Sequence, residues 1–241
     1  MVAAALLSIG GTLPPSARAA NLTWDNDANS ANNNLSTGAG LGGAGAWGST
    51  DLKWFDGTND IAWTDANKDI ANFIGTGGAV TLGAGFTVGG LVFTGVTSGA
   101  FSLDGSTLTL AAPTGAATPT ISVNTGVRAT ISSLVAGVSG FLKTGDGTLV
   151  LAGNAQVIGS AQGNGFAVQA GTLKIGDGAR LSPGQTALNV NLGATVDLNG
   201  RNFTVGALNN AFNNSGGTLT NNSILSYRCT WPYFYRWVNY S

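Results

Sequence analysis

Apolar and polar residues alternate in short bursts along most of this chain, and the bursts recur. Leu149 and Leu151 alternate with Thr148 and Val150, Leu173 and Ile175 with Thr172 and Lys174. Leu188-Asn189-Val190-Asn191-Leu192 and Phe203-Thr204-Val205 show the same two-residue period. A period of two is the mark of a strand with one buried face. A glycine opens a recurring phrase: Gly105-Ser106-Thr107-Leu108, Gly126 to Ile131, Gly147 to Leu151, Gly171 to Ile175, Gly193 to Leu198 and Gly217-Thr218-Leu219. Successive glycines stand about 21 to 24 residues apart, a spacing typical of solenoids.

A unit of that length, holding at least two short strands, cannot enclose a core alone. Wound into a coil, it stacks its apolar residues on those of neighbouring coils, about 4.8 Å away. The pattern therefore predicts an all-β chain folded as a right-handed, single-stranded parallel β-helix. Glycine supplies the left-handed corner conformations, and Asn154, Asn164 and Asn199 stand at turn-like positions that suit αL backbone. Arg128, Lys174 and Asp197 fall opposite the apolar set and are expected on a solvated face. A β-sandwich is the competing expectation for Leu91 to Leu110 alone.

One stretch carries a family resemblance. Leu142-Lys143-Thr144-Gly145-Asp146-Gly147-Thr148-Leu149-Val150-Leu151-Ala152-Gly153-Asn154, followed by Val168 to Gly176, resembles the autotransporter-associated β-strand repeat. The resemblance is specific over Phe141 to Gly176 and fades into the general pattern beyond. It implies an exported, adhesin-like passenger β-helix at the cell surface or outside the cell, whose C-terminal translocator barrel would sit in the outer membrane. No such barrel is expected within these 241 residues, and without one the destination would be the periplasm.

Two regions depart from the repeat, giving an expected division into residues 1–19, 20–75, 76–223 and 224–241. Val2 to Ile9 is apolar, Pro14-Pro15 ends the run, and Ala17-Arg18-Ala19 offers a small-x-small site, so a signal peptide cleaved after Ala19 is expected. Asn21 to Asp69 holds seven of the aspartates together with Trp24, Trp47, Trp54 and Trp63. It reads as an N-terminal cap whose tryptophans cover apolar area while their N–H groups reach water. From Ile224 onward the chain carries all four tyrosines and Cys229, the only cysteine. That tail is unlike the repeats and is expected to follow a frameshift or interruption near Asn222, which would make the chain a fragment; an aromatic anchor for a membrane surface or glycan is the alternative.

Composition narrows the chemistry. There are 38 glycines and 43% hydrophobic residues, a mixture suited to many short strands joined by tight turns. There is no histidine, and all eleven acidic residues are aspartate, so Ser-His-Asp and Cys-His mechanisms lack their base. A net charge of −1 with 9% charged residues offers nucleic acid no basic patch. No apolar run approaches the roughly 20 residues of a transmembrane helix. No cofactor or metal is expected, and no catalytic residue is assigned.

Three motifs hint at chemistry. Gly38-Ala39-Gly40-Leu41-Gly42-Gly43 fits G-x-G-x-x-G but lacks the flanking strand and helix, and reads as a Gly/Ala spacer. Asp25-Asn26-Asp27-Ala28-Asn29 and Asp65-Ala66-Asn67-Lys68-Asp69 begin like calcium loops, then place Ser30 or Ile70 where glycine belongs and Ser36 or Thr76 where glutamate belongs. Solvated Asx turns are expected there. Parallel β-helices also host polysaccharide-degrading enzymes, so Asp146 and Asp177 form the one carboxylate pair to inspect, in case their turns stack. The expected function is a non-catalytic rod whose outward Thr, Asn and Ser meet a glycan or a cell surface, with self-association through the last coil. A β-helix polysaccharide-degrading enzyme or glycan-binding module is the alternative.

Overall fold

The computed structural model describes residues 19–116, 118–137, 140–153, 156–157, 166–181, 187–201, 207–209 and 216–221. The expected signal peptide and aromatic tail lie outside these residues, as do Asn154, Asn164 and the strand expected at Phe203-Thr204-Val205.

The chain is a parallel β-solenoid. Five strands precede the regular coils: β1 (Asn21–Trp24), β2 (Gly45–Trp47), β3 (Trp54–Phe55), β4 (Asp60–Ile61) and β5 (Ile70–Thr76). The coils then supply β6 (Ala79–Leu82), β7 (Phe86–Val88), β8 (Gly90–Ser98), β9 (Phe101–Gly105), β10 (Leu108–Leu110), β11 (Thr120–Val123), β12 (Arg128–Ile131), β13 (Val135–Ala136), β14 (Leu142–Thr144), β15 (Thr148–Leu151) and β16 (Gln156–Val157). The last described coils hold β17 (Phe166–Val168), β18 (Thr172–Ile175), β19 (Arg180–Leu181), β20 (Ala187–Val190), β21 (Thr195–Asp197), β22 (Ala207–Asn209) and β23 (Thr218–Thr220).

Successive strands of a coil enter different sheets. One face is the ten-stranded sheet β22-β20-β17-β14-β11-β8-β5-β1-β3-β4, another the eight-stranded sheet β2-β6-β9-β12-β15-β18-β21-β23. A third face carries β13-β10-β7 and the pair β16-β19. Every pairing is parallel except β1 with β3 and β3 with β4, which fold back at the N-terminal edge of the larger sheet.

Register explains the core. On the eight-stranded face Phe101, Ala129, Leu149, Leu173 and Val196 stack rung on rung, and all are buried. On the ten-stranded face Ala71, Leu91, Ile121, Lys143, Val168 and Val190 do the same, with one lysine among the apolar residues. A one-residue slip would turn either ladder outward, so the apolar alternation itself fixes the register.

The sandwich expected for Leu91 to Leu110 is overturned. Residues of β8, β9 and β10 form one coil, each strand pairing in parallel with its counterpart on both sides. That coil is longer than the others: Phe101 pairs with Ala129, whereas Ala129 pairs with Leu149. The extra residues lie in the connection after β10, around Pro113 and Pro119. The glycine phrase at Gly105 accordingly leads into the third face, whereas those at Gly126, Gly147, Gly171, Gly193 and Gly217 lead into the eight-stranded face. The two classes are alike in sequence because both are a corner followed by an alternating strand.

The tryptophans lie inside the solenoid. Trp24, Trp47 and Trp54 are fully buried and Trp63 is nearly so. Trp47 packs 4.5 Å from Trp54 and stacks at 4.5 Å on Phe86, while Trp54 meets Phe73 edge-on at 5.8 Å. Phe73 then stacks on Phe93 at 5.0 Å, so the aromatic column continues into the coils. The expectation that the indole N–H groups reach water fails. Trp24 donates to the Gly43 carbonyl (2.9 Å) and Trp63 to that of Thr87 (3.1 Å), while those of Trp47 and Trp54 are buried without a partner. Aromatic contact, worth about 0.5–1.5 kcal/mol per pair, competes here with polar satisfaction worth about 1–3 kcal/mol per group.

Candidate functional site

Outward positions of the eight-stranded face form two rows. In one, Arg128 is followed rung by rung by Thr148, Thr172, Thr195 and Thr218. These threonines are half-buried or exposed, so a column of hydroxyl and methyl groups repeats at the ordinary strand spacing of about 4.8 Å. The second row runs Ser102, Thr130, Val150, Lys174, Asp197, Thr220, and Val150 within it is buried. Lys174 Nζ donates to Asp197 Oδ2 at 3.1 Å, and Asp197 also accepts the Asn199 amide at 2.8 Å. Asp197 is 7% exposed, so its expected place on a solvated face is corrected: the ion pair and the turn at Asn199 enclose it. Asn199 has φ +49°, as its turn-like position predicted.

Two carboxylates flagged for chemistry are not brought together. Asp146 lies in the turn entering β15, with Thr125 Oγ1 3.5 Å away, and Asp177 lies in the turn leaving β18, paired with Arg201. Because Thr148 pairs with Thr172 and Leu151 with Ile175, the two aspartates occupy opposite ends of the same pair of rungs. A four-residue strand separates them by roughly 13 Å. The turns that stack are different ones: Gly153 N donates to the Asp177 carbonyl, and Gly171 abuts the backbone at Asp146.

The calcium-like segments direct their oxygens to the chain's own donors. Asp25 accepts from Asp27 N (3.1 Å) and Asn33 Nδ2 (2.8 Å); Asp27 accepts from Asn29 N and Asn32 Nδ2. The Asn32 bond is the main cause holding the Asp27 carboxyl below its ordinary range. Asp65 accepts the Thr87 amide, and Asp69 accepts Ala20 N and Asn67 Nδ2. Among the described residues no group of three or more His, Cys, Asp or Glu is placed to hold a metal ion.

The Gly/Ala stretch is no inert spacer. Gly42 bridges Asp25 and Thr76; its N–H donates to the Trp24 carbonyl (2.9 Å) and its own carbonyl accepts from Asn26 (3.1 Å). Gly42 has φ +88°, and a Cβ there would collide with the Thr76 carbonyl. Glycine is required because two strand ends close on this backbone.

Besides Asp197, sequence reasoning missed three buried charges, Lys143, Asp25 and Asp69, and the two aspartates lie in the segments expected to be solvated Asx turns. Lys143 is fully buried, and its ammonium donates to the carbonyls of Thr144 (3.0 Å), Gly145 (2.6 Å) and Ala170 (2.9 Å). Burial lowers its pKa to about 8, against the opposing pull of Asp146. Asp25 is equally buried, and no periodicity marks it, because it follows β1 and turns into a corner. For Lys143 a signal did exist: it falls between the alternating Phe141 and the turn at Gly145, in phase with the inward set.

No protein-family model matches the chain, and no solved structure matches it. A curated protein does: the chain is 37% identical over 169 residues, 68% of its length, to "Adhesin BmaC autotransporter" of Brucella suis biovar 1 (strain 1330). The chain spans about 5% of the length of that relative. Among the described residues no helix is long and apolar enough to cross a membrane, which says nothing of a β-barrel. The match to an autotransporter adhesin and the parallel β-solenoid agree with what the repeats themselves resemble, the passenger region of a bacterial autotransporter.

Proposed function

We propose that this chain is a non-catalytic, adhesive rod from an exported passenger, and that it meets its target along the outward rows of the eight-stranded face. The observation that carries the reading is the threonine ladder Thr148, Thr172, Thr195, Thr218, an extended polar surface laid out on a rigid scaffold. A ladder of this kind suits a glycan or another cell surface, since hydroxyl groups at a fixed spacing bond repeating hydroxylated partners. No single residue carries the activity. Delivery would rest on the signal peptide ending at Ala19 and on a translocator barrel outside this chain, with the cell surface or extracellular space as destination.

The test is binding of purified protein to glycan arrays and to whole cells, compared with Thr172→Asp, Thr195→Asp and the double variant. Loss of binding with an unchanged denaturation midpoint supports the ladder as the contact surface. Undiminished binding by the double variant would move the contact elsewhere. Turnover of pectin, alginate or xylan would overturn the non-catalytic reading.

A further inference from the structure

Lys143 stands in an inward ladder between Ile121 and Val168 and is 0% exposed. A charge buried there is strongly disfavoured unless all its donors are satisfied. The corner of the coil supplies that satisfaction. The ladder between β14 and β17 ends with Gln169 N donating to the Lys143 carbonyl. Past it the chain turns toward the eight-stranded face, and the carbonyls of Thr144, Gly145 and Ala170 converge on Lys143 Nζ at 3.0, 2.6 and 2.9 Å. Thr144 and Gly145 belong to one coil and Ala170 to the next. Three acceptors around one nitrogen match the three N–H donors of a primary ammonium.

Glycines keep the corner open for this arrangement. Gly145 and Gly171 have φ +70° and +64°, and a Cβ on Gly171 would stand 2.6 Å from the Gly145 oxygen, one of the three acceptors. The residues that lead into the eight-stranded face align as Val127, Gly147, Gly171 and Ala194. Val127 and Ala194 are buried side chains, whereas the two glycines beside Lys143 put nothing into the corner to compete with it. Asp146, in the same turn, adds a negative charge that favours the protonated amine.

We propose that these three carbonyls form a binding site for a primary ammonium ion, which Lys143 fills from within the chain, tying the corner of one coil to the corner of the next. The site is built of backbone, so it should keep its preference when the lysine is shortened. An alcohol of the same outline offers three acceptors a single donor, and a quaternary ammonium offers none.

Lys143→Ala removes the outer three carbons of the stem together with the nitrogen, which is the outline of n-propylammonium. Thermal midpoints of this variant and of the wild type, taken on the full chain at matched ionic strength in sodium, n-propylammonium or tetramethylammonium chloride, or in sodium chloride with n-propanol, test the assignment. The variant should melt below the wild type in sodium chloride. Propylammonium should raise its midpoint progressively with concentration and leave the wild type unmoved, because only the variant has the site free. Propanol and tetramethylammonium should leave the variant near its sodium value. An equal rise with propanol, or none with propylammonium, would overturn the proposal. Should the variant not fold, nitrogen-15 spectra of the wild type at about pH 6, below the Lys143 pKa of about 8, decide. A slowly exchanging Lys143 ammonium coupled to the carbonyl carbons of Thr144, Gly145 and Ala170 supports the site, and one that exchanges as fast as those of Lys53 and Lys174 overturns it.

Discussion

At the residue scale, neighbouring positions differ sharply in what they tolerate. Leu173 is fully buried between Leu149 and Val196, and Leu173→Asp should cost about 3–5 kcal/mol because it buries an unpaired charge in an apolar ladder. Lys174, one position on, faces outward, but its loss leaves the buried Asp197 carboxylate without its ammonium, so Lys174→Ser should cost about 1–3 kcal/mol, less than Leu173→Asp. Denaturant titration of both variants checks the assignment of faces, and equal midpoints would refute it. Lys143 gives a different signature. Its native pKa of about 8 lies below the ordinary 10.5, so the unfolded chain binds the proton more tightly, and stability should rise with pH between these values. In Lys143→Met that rise should disappear, and stability at pH 7 should fall by about 1–3 kcal/mol as three carbonyls lose their donor. Thermal midpoints at pH 7, 8.5 and 9.5 measure both effects.

At the scale of elements, the corners are as constrained as the strands. Gly42 and Gly126 both have positive φ, yet only Gly42 faces backbone where a Cβ would stand, whereas Gly126 faces open space. Both alanine variants bear the cost of left-handed backbone, about 1 kcal/mol, and Gly42→Ala adds a collision with the end of β5. Its denaturation midpoint should therefore drop well below that of Gly126→Ala; similar values would mean that the corner at Thr76 yields freely. The strands around these corners were legible because alternation over three or four residues suffices to name a buried face, as at Leu173 and Ile175. The end of an alternation was less so. Leu192 continues the pattern of Leu188 and Val190 in sequence, but it sits in a turn and is 58% exposed. Periodicity cannot tell where a strand stops, since a corner is set by contacts with the coils on either side.

At the scale of the whole molecule, the two described ends differ. The first described strands carry the two antiparallel pairings and pack beside four buried tryptophans. In the last described rungs, Leu208 and Leu219 continue inward ladders whose previous members, Leu188 and Val196, are buried, yet they are 41% and 37% exposed. A parallel edge with apolar side chains uncovered invites pairing with another chain. The chain of 241 residues should therefore self-associate, and Leu208→Ser with Leu219→Ser should shift light scattering toward monomer. A wild type that stays monomeric at high concentration would contradict this.

The sequence by itself determined the solenoid, because its repeat length, alternating strands and corner glycines are local features that each coil states afresh. It also determined which residues of the central coils face inward, since a two-residue period has only two phases. The fold alone set Asp146 and Asp177 at opposite ends of their rungs, buried Asp25 at a corner, and gathered four tryptophans into one packed cluster. Those outcomes depend on the lengths of the connections between coils and on which backbone groups meet at a corner, distances that no single stretch of sequence contains.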